Sequence, residues 1–327
     1  MGSLAVAAYL ESPRIPIIDL SLLKGALHWR QHLGRQIDWA CAEFGFFYVV
    51  NHAVDAGLSD RLFDLGREFF AWSLERKLKI HMSRGGRAWR GYFPVGEELT
   101  AGVADLKEGL YFGSELAPED ERAAAGLPLH GGNLFPDIEG FRDAVIRYMS
   151  AVSALAQTLL DAIALALGQN ESYFAKRYTH DPTVLLRMFN YPPAAGEGWG
   201  VGEHTDYGLL TLLKQDAVGG LQFRYDSAWL DVPEVPGSFV VNVGDVLESL
   251  TGGRYRSAAH RVRNGSTTPR ISVPLFFDPG FGAQLGRIAG MATTPRFAGR
   301  ALSGTCGEYL LAKVSRVFPE LGERVLR

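Results

Sequence analysis

Two histidines and an aspartate are candidate metal ligands. His204 and Asp206 are two residues apart, and side chains at that spacing point to the same side of an extended chain. An imidazole and a carboxylate on one strand face can therefore bind the same ion. Two ligands leave a transition metal under-coordinated, and His260 is the other histidine in the half of the chain that is predicted to be β-structure. We predict that the three bind one ion. A hydrogen-bonded His–Asp pair without metal is the alternative that so short a motif leaves open.

A second pair of residues, Arg270 and Ser272, follows shortly after His260 and again has a spacing of two. A guanidinium fork beside a hydroxyl forms a receptor for a carboxylate, with a bidentate geometry that lysine lacks. Two histidines and one carboxylate on one face of an octahedron leave three positions open, the arrangement associated with non-haem Fe(II) oxygenases. An anionic co-substrate that chelates the iron could anchor its distal carboxylate at this pair. A surface ion pair of Arg270 is the alternative.

The elements that must position these residues change character along the chain. In the first half, apolar spacing predicts helices, the longest at 137–167, with short strands at 15–20 and 46–50 and loops and edge strands at 84–113. From residue 184 onward, β-branched and aromatic runs alternate with turn residues, as in a β-sandwich or barrel. We expect an α+β chain with a mainly β core. It would form one domain, 1–327, with a helical N-terminal region at 1–180, a β core with the metal site at 181–300 and a C-terminal helix at 301–327.

Composition excludes several classes of protein. The 327 residues are 47% hydrophobic and 21% charged, with a net charge of −3, which argues against disorder, collagen and a continuous coiled coil. No run of like charges predicts a nucleic-acid or polybasic membrane surface. Cys41 and Cys306 are too few for a disulfide framework and are expected as reduced thiols. The apolar stretch 154–167 is too short to span a bilayer, and the first residues lack signal-peptide features. We expect a cytoplasmic monomer without a nucleic-acid or membrane partner.

Short blocks of sequence recur in a characteristic order along nearly the whole chain. They occupy residues 15–20, 45–52, 107–108, 190–193, 204–213, 241–245, 260–262 and 269–274. In this order they resemble the Fe(II)- and 2-oxoglutarate-dependent dioxygenases of the isopenicillin N synthase-like group. So many blocks in sequence make the resemblance specific.

The resemblance implies a fold, a set of cofactors and a reaction. The fold is a double-stranded β-helix (jelly roll) flanked by N-terminal and C-terminal helices. The three predicted metal ligands look like the iron ligands of the family, and Arg270, Ser272 and Tyr191 look like the residues that bind the distal carboxylate of 2-oxoglutarate. The implied cofactors are Fe(II), 2-oxoglutarate as co-substrate and O₂, with ascorbate as an addition in vitro. The implied reaction is hydroxylation, desaturation or cyclisation of a small organic metabolite, with release of succinate and CO₂.

Four other residues have narrower interpretations. Phe276 shares the strand parity of the predicted carboxylate receptor, so it either faces the substrate pocket or packs in the core. Asn190 stands one position away from an asparagine of many plant members of the family, and we assign it no role. Lys107 and Glu108 are expected at a solvated or ion-paired strand edge, although they lie in one of the matching blocks.

Two other functions stay open. The same group contains oxidases, such as isopenicillin N synthase, that use the Arg–Ser pair for the carboxylate of the substrate itself and release no succinate. A non-catalytic binding protein on the same fold is the second alternative. The presence of every predicted ligand and receptor residue argues against it, because a degenerate relative would have lost one.

Overall fold

The computed structural model describes residues 15–193, 198–319 and 323. The α-helices are α1 (Leu27–Glu43), α2 (Ala56–Phe70), α3 (Leu74–Lys77), α4 (Glu121–Ala124), α5 (Phe141–Ala166), α6 (Tyr173–Arg177), α7 (Asp245–Leu250) and α8 (Cys306–Val317). The strands of the first half are β1 (Ile17–Asp19), β2 (Phe46–Val50), β3 (Gly91–Phe93), β4 (Leu99–Thr100), β5 (Val103–Ala104) and β6 (Glu108–Gly113). Those of the second half are β7 (Thr183–Tyr191), β8 (Gly198–His204), β9 (Leu210–Gln215), β10 (Leu221–Tyr225), β11 (Ala228–Asp231), β12 (Phe239–Val243), β13 (His260–Asn264) and β14 (Arg270–Asp278).

Two sheets pack face to face. The larger has eight strands in the order β1-β2-β12-β9-β14-β7-β6-β3, and the smaller has four in the order β11-β10-β13-β8. Alternation along each strand sends one set of side chains into the space between the sheets. Phe46 of β2 and Phe223 of β10 meet there, with ring centroids 4.9 Å apart. This arrangement confirms the predicted jelly roll with flanking helices.

Helices cover the outer face of the large sheet. The long helix α5 packs against α1, α2 and β14, and it buries Tyr148, Leu159 and Ile163 completely. By length and composition alone α5 could cross a membrane, and half of its most apolar stretch is buried in the protein. The helix is longer than the apolar stretch 154–167 suggests. Its hydropathy is that of a helix whose apolar stripe packs on a sheet.

The N-terminal region contains more β-structure than predicted. The strands β1, β2, β6 and β3 all precede residue 180 and all join the large sheet, so a division at that residue does not separate helices from strands. The prediction of loops and edge strands at 84–113 is wrong for β6, which lies inside the sheet and is buried throughout. Glycine at position 109 is untypical of a strand, which is why the sequence did not indicate β6. The structure requires glycine there because a Cβ would come within 2.5 Å of the Phe93 ring.

The helix α8 ends the described fold. It begins with a capping box in which Thr305 and Glu308 each accept a hydrogen bond from the backbone of the other, which satisfies N–H groups that the first helical turn leaves free. Residues 320–322 and 324–327 of the predicted C-terminal helix lie outside the described range. So do residues 1–14, on which the signal-peptide prediction rests.

Candidate active site

Strand pairing brings the three candidate metal ligands together. His204 ends β8 and His260 begins β13, and the two residues pair directly across the small sheet, with ring centroids 4.2 Å apart. Asp206 follows two residues after His204. Its Oδ1 lies 3.9 Å from Nε2 of His204 and 3.7 Å from Nε2 of His260. Ligand atoms of all three residues lie within 4.8 Å of one another.

Backbone carbonyls fix the orientation of both imidazoles. Nδ1 of His204 lies 2.9 Å from the carbonyl oxygen of Gly202, and Nδ1 of His260 lies 3.1 Å from that of Ala258. A carbonyl oxygen only accepts, so Nδ1 carries the hydrogen in each ring. The lone pair of each Nε2 is therefore free to bind a metal.

The aspartate is oriented in the same way by two donors. Its Oδ2 accepts hydrogen bonds from Thr211 Oγ1 at 2.6 Å and from Asn242 Nδ2 at 2.7 Å, which leaves Oδ1 facing the imidazoles. Burial raises the pKa of Asp206, but the neighbouring His260 and His204 and these two hydrogen bonds together lower that pKa below its ordinary value. Burial, together with the proximity of His260, lowers the pKa of His204. A charged aspartate beside a neutral histidine is the protonation state that a metal requires of its ligands.

The donor set fits a divalent first-row metal. The N–O separations of 3.7 and 3.9 Å are shorter than about 4.2 Å, twice a metal–nitrogen bond of about 2.1 Å. Two imidazoles and one carboxylate then occupy three positions of the ion and leave the others open. This is the ligand set of a site that binds iron together with a co-substrate and O₂.

Arg270 lies in the same space as a buried cation, and no carboxylate of the residues that the structure describes forms an ion pair with it. It is 3% exposed and pairs with Tyr191 across β14 and β7, with its guanidinium carbon 4.7 Å from the centre of the Tyr191 ring. Nη2 donates to Gln215 Oε1 at 3.2 Å, whereas Nε and Nη1 have no hydrogen-bond partner among the described residues. Leaving a buried guanidinium unpaired is costly. With Ser272 next to it on the same strand face, the arrangement is a receptor for an anion.

A cavity of about 150 Å³ connects the three candidate metal ligands with the receptor formed by Arg270 and Ser272. Every residue predicted for the site lines it: His204, Asp206, His260, Arg270, Ser272, Tyr191 and Phe276. Phe276 is only partly buried and faces this cavity. Of its two interpretations, the structure therefore favours the pocket over the core.

Of the solvated or ion-paired strand edge expected at Lys107 and Glu108, the ion pairs are confirmed, but both residues are buried and β6 lies inside the sheet. Lys107 is 2% exposed and lies beside two carboxylates. Glu108 accepts hydrogen bonds from Lys77 Nζ at 2.7 Å, Tyr92 Oη at 2.6 Å and Asn190 Nδ2 at 2.8 Å. Asn190 therefore holds a buried carboxylate in the structure, and it does not line the cavity.

Four charged residues that were not predicted for the site also line the cavity: Arg187, Glu98, Asp278 and the Lys107 already described. Arg187 has the strand parity of Tyr191, and Asp278 has that of Arg270, so alternation along β7 and β14 was the available signal. Glu98 lies before the short strand β4 and carried no such signal. Burial, with the charge of Asp206 adding to it, raises the pKa of Asp278 to about 7.

The fold and the candidate site together indicate which class of protein this is. A jelly roll whose cavity holds two histidines and an aspartate beside a buried arginine is the architecture of a non-haem iron oxygenase. Two family models match the chain. Residues 15–138 match the model described as "non-haem dioxygenase in morphine synthesis N-terminal", and residues 178–279 match that of the 2OG-Fe(II) oxygenase superfamily.

Known proteins are similar over nearly their full length. A "Probable iron/ascorbate oxidoreductase" of Dictyostelium discoideum is 42% identical, over 96% of this chain and 97% of its own. A homoarginine-6-hydroxylase of Glycine max is 34% identical, over 94% and 98%. The crystal structure of a 2OG-Fe(II) oxygenase family protein from Caulobacter crescentus superposes with a TM-score of 0.80 at 27% identity, over 93% of this chain and 99% of that one. A full-length Neurospora crassa protein in complex with alpha-KG gives 0.78 at 25% identity, over 92% and 96%.

The chain therefore belongs to the 2OG-Fe(II) oxygenase superfamily. It is an Fe(II)- and 2-oxoglutarate-dependent dioxygenase that uses O₂ and acts on small metabolites. This confirms the predicted enzyme class and cofactors. Of the three functions that the sequence left open, it is the 2-oxoglutarate-dependent one.

Proposed function

We propose that His204, Asp206 and His260 hold the Fe(II) of this enzyme. The proposal is supported by their converging ligand atoms, by the free Nε2 lone pairs and by the free Oδ1 of the aspartate. When bound there, Fe(II) supplies the redox chemistry that couples decarboxylation of 2-oxoglutarate by O₂ to oxidation of the substrate. The chain itself keeps the His204 imidazole neutral and the Asp206 carboxylate charged, and it fixes the orientations of all three side chains through hydrogen bonds.

Arg270 and Ser272 bind the distal carboxylate of 2-oxoglutarate, and Tyr191 contributes to the same receptor. One observation carries this assignment: two buried N–H-bearing atoms of Arg270 have no hydrogen-bond partner in the described residues and belong to a side chain that lines the same cavity as the metal ligands. A carboxylate placed there would satisfy both donors through charge-assisted hydrogen bonds.

Substrate oxidation takes place in the remainder of the cavity. Phe276 faces it, and Leu310 and Val317 of α8 close it from outside the sheets. These apolar side chains exclude water from the reacting atoms, which limits unproductive turnover. The substrate is a small organic molecule that undergoes hydroxylation, desaturation or ring closure.

The assay for this function is the formation of succinate from 2-oxoglutarate. Enzyme with Fe(II), O₂ and ascorbate is incubated with and without a small-molecule cell extract, and succinate is measured. We expect Fe(II)-dependent succinate that rises with the extract. Substrate consumption without succinate would instead indicate an oxidase of the isopenicillin N synthase type. Asp206→Ala is expected to lose iron and activity together, and full activity in that variant would contradict the ligand assignment.

The narrower predictions are part of the same proposal. The enzyme belongs to the isopenicillin N synthase-like group and acts as a cytoplasmic monomer, without a nucleic-acid or membrane partner. Two buried free thiols, Cys41 and Cys306, support the cytoplasmic location, since reduced thiols are typical of the cytosol. The net charge of −3 supports the absence of a nucleic-acid partner. Sedimentation of the holoenzyme measures the oligomeric state, and a dimer would contradict the prediction.

A further inference from the structure

A second arginine, Arg187 on β7, faces the cavity away from the proposed 2-oxoglutarate receptor. It precedes Tyr191 by four residues on the same strand, so both side chains point to the same face and their backbones are about 13 Å apart. On the neighbouring strand β14, Arg270 pairs with Tyr191, whereas Phe276 pairs with Leu185, which lies beyond Arg187 along β7. The two arginines therefore line different parts of one cavity.

Aromatic rings hold the guanidinium of Arg187 in a fixed plane. Its central carbon lies 4.3 Å from the ring centre of Tyr111 and 4.8 Å from that of Phe276. The side chain is 15% exposed, and Nη1 lies 3.3 Å from Glu98 Oε1. Nε is buried without a hydrogen-bond partner in the described part of the chain. A planar fork that is fixed but incompletely paired is suited to bind a second planar group.

Glu98 has stronger partners than Arg187. Its Oε2 lies 2.7 Å from Nζ of Lys107, and its Oε1 accepts a short hydrogen bond from the Tyr111 hydroxyl. The single 3.3 Å contact with Arg187 is the longest of the three. Arg187 therefore keeps donors for a group that enters the cavity.

The fork lies next to the proposed metal site. The Arg187 guanidinium stacks on the ring of Phe276. Phe276 in turn pairs with Thr211 across β14 and β9. The Thr211 hydroxyl in turn donates to Asp206. A molecule bound to Arg187 would thus have its remaining atoms within reach of the metal ligands.

We propose that Arg187 binds a carboxylate of the primary substrate, so that the enzyme oxidises a small carboxylic acid. The inference rests on the proposed function, because it takes the Arg270 receptor to be filled by 2-oxoglutarate. The carboxylate accepts two parallel hydrogen bonds from the fork. The apolar body of the acid packs on Phe276 and on Leu185 and Val201, which line the same cavity.

Matched acids and amides test this proposal. The probes are benzoate, phenylacetate and hexanoate, each paired with its primary amide. Each is titrated calorimetrically into enzyme that contains Fe(II) and saturating 2-oxoglutarate in the absence of O₂, so that the Arg270 receptor is already occupied. We expect at least one acid to bind about 10-fold to about 100-fold more tightly than its amide, the range for a charge-assisted hydrogen bond. Arg187→Met is expected to remove that preference.

The proposal is overturned if no acid binds more tightly than its amide, or if the preference survives in Arg187→Met. Arg224→Met is the matched control, because Arg224 is exposed on the small sheet and pairs with Glu203 at 2.7 Å; it should keep the full preference. If Arg187→Met does not fold, Arg187→Lys decides, since it retains the charge but loses the fork. A reduced preference supports the proposal and an unchanged one overturns it.

Failure of this inference is distinguishable from failure of the proposed function. Absence of Fe(II)-dependent succinate would refute the function itself. Normal succinate formation without any preference for acids would remove only the role of Arg187.

Discussion

Replacing Thr211 by valine is expected to weaken metal binding although no metal ligand is changed. Thr211 is buried on β9, and its hydroxyl donates to Asp206 Oδ2 at 2.6 Å. Valine has nearly the same shape and lacks only the donor. The hydrogen bond from Asn242 at 2.7 Å remains, so the carboxylate stays in place but is held by one donor.

The magnitude follows from the kind of hydrogen bond that is lost. A hydrogen bond to a charged group contributes about 1.5–3 kcal/mol, which corresponds to about 10-fold to about 150-fold in a binding constant. Groups that orient metal ligands typically change metal affinity by about 10-fold to about 100-fold. Because Asn242 still holds the same oxygen, we expect the lower end, an increase of about 10-fold in the Kd for Fe(II).

The assay is anaerobic competition for Fe(II) against a chromophoric chelator. Thr179→Val is the control, since Thr179 is also buried and donates to Gln157 Oε1 at 2.6 Å, away from the cavity. It should lose about 0.5–1.5 kcal/mol of unfolding free energy and keep wild-type metal affinity. Wild-type affinity in Thr211→Val, or equal weakening in both variants, would refute the reasoning.

Three further substitutions test the packing and charge around the site. In Gly208→Ala the new Cβ would overlap Asp278 Oδ1, so we expect a loss of about 3 kcal/mol in denaturant unfolding. Most of it should return when Asp278→Ala is added, and a neutral single variant would contradict this packing. Lys77→Met leaves the buried Glu108 charge unpaired and should cost about 3–5 kcal/mol; adding Glu108→Gln should recover much of it, and a double variant no more stable than the single would count against the ion pair. Arg270→Gln should raise the KM for 2-oxoglutarate at least about 30-fold with Fe(II) affinity unchanged, whereas a wild-type KM would exclude Arg270 from the receptor.

The convergence of the three candidate metal ligands was predictable because most of its geometry is local. His204 and Asp206 share a strand face through a spacing of two, and the same rule applies to Arg270 and Ser272. Only His260 had to be brought in by tertiary structure. The alternation of turn residues with short apolar runs restricted the fold enough to make a neighbouring strand the natural place for it.

The other residues that line the cavity were not predictable, because the order and register of the strands determine which side chains face it. Arg187 faces the cavity only because β7 lies between β14 and β6 in the large sheet, and its companion Glu98 comes from a separate segment before β4. The burial of β6 was hidden for a related reason. A strand that begins with Glu108 and continues with Gly109 has no apolar alternation, and its charge is balanced by Lys77, which is distant in sequence.

The central claim is that one cation lies between His204, Asp206 and His260 with 2-oxoglutarate anchored at Arg270. Anaerobic crystals grown with Fe(II) and 2-oxoglutarate test it through anomalous scattering at the iron edge. We predict one iron peak within about 2.3 Å of the two Nε2 atoms and the Oδ1 atom, and density for a carboxylate at the Arg270 guanidinium. An iron peak elsewhere, or a 2-oxoglutarate carboxylate that does not contact Arg270, would contradict the account.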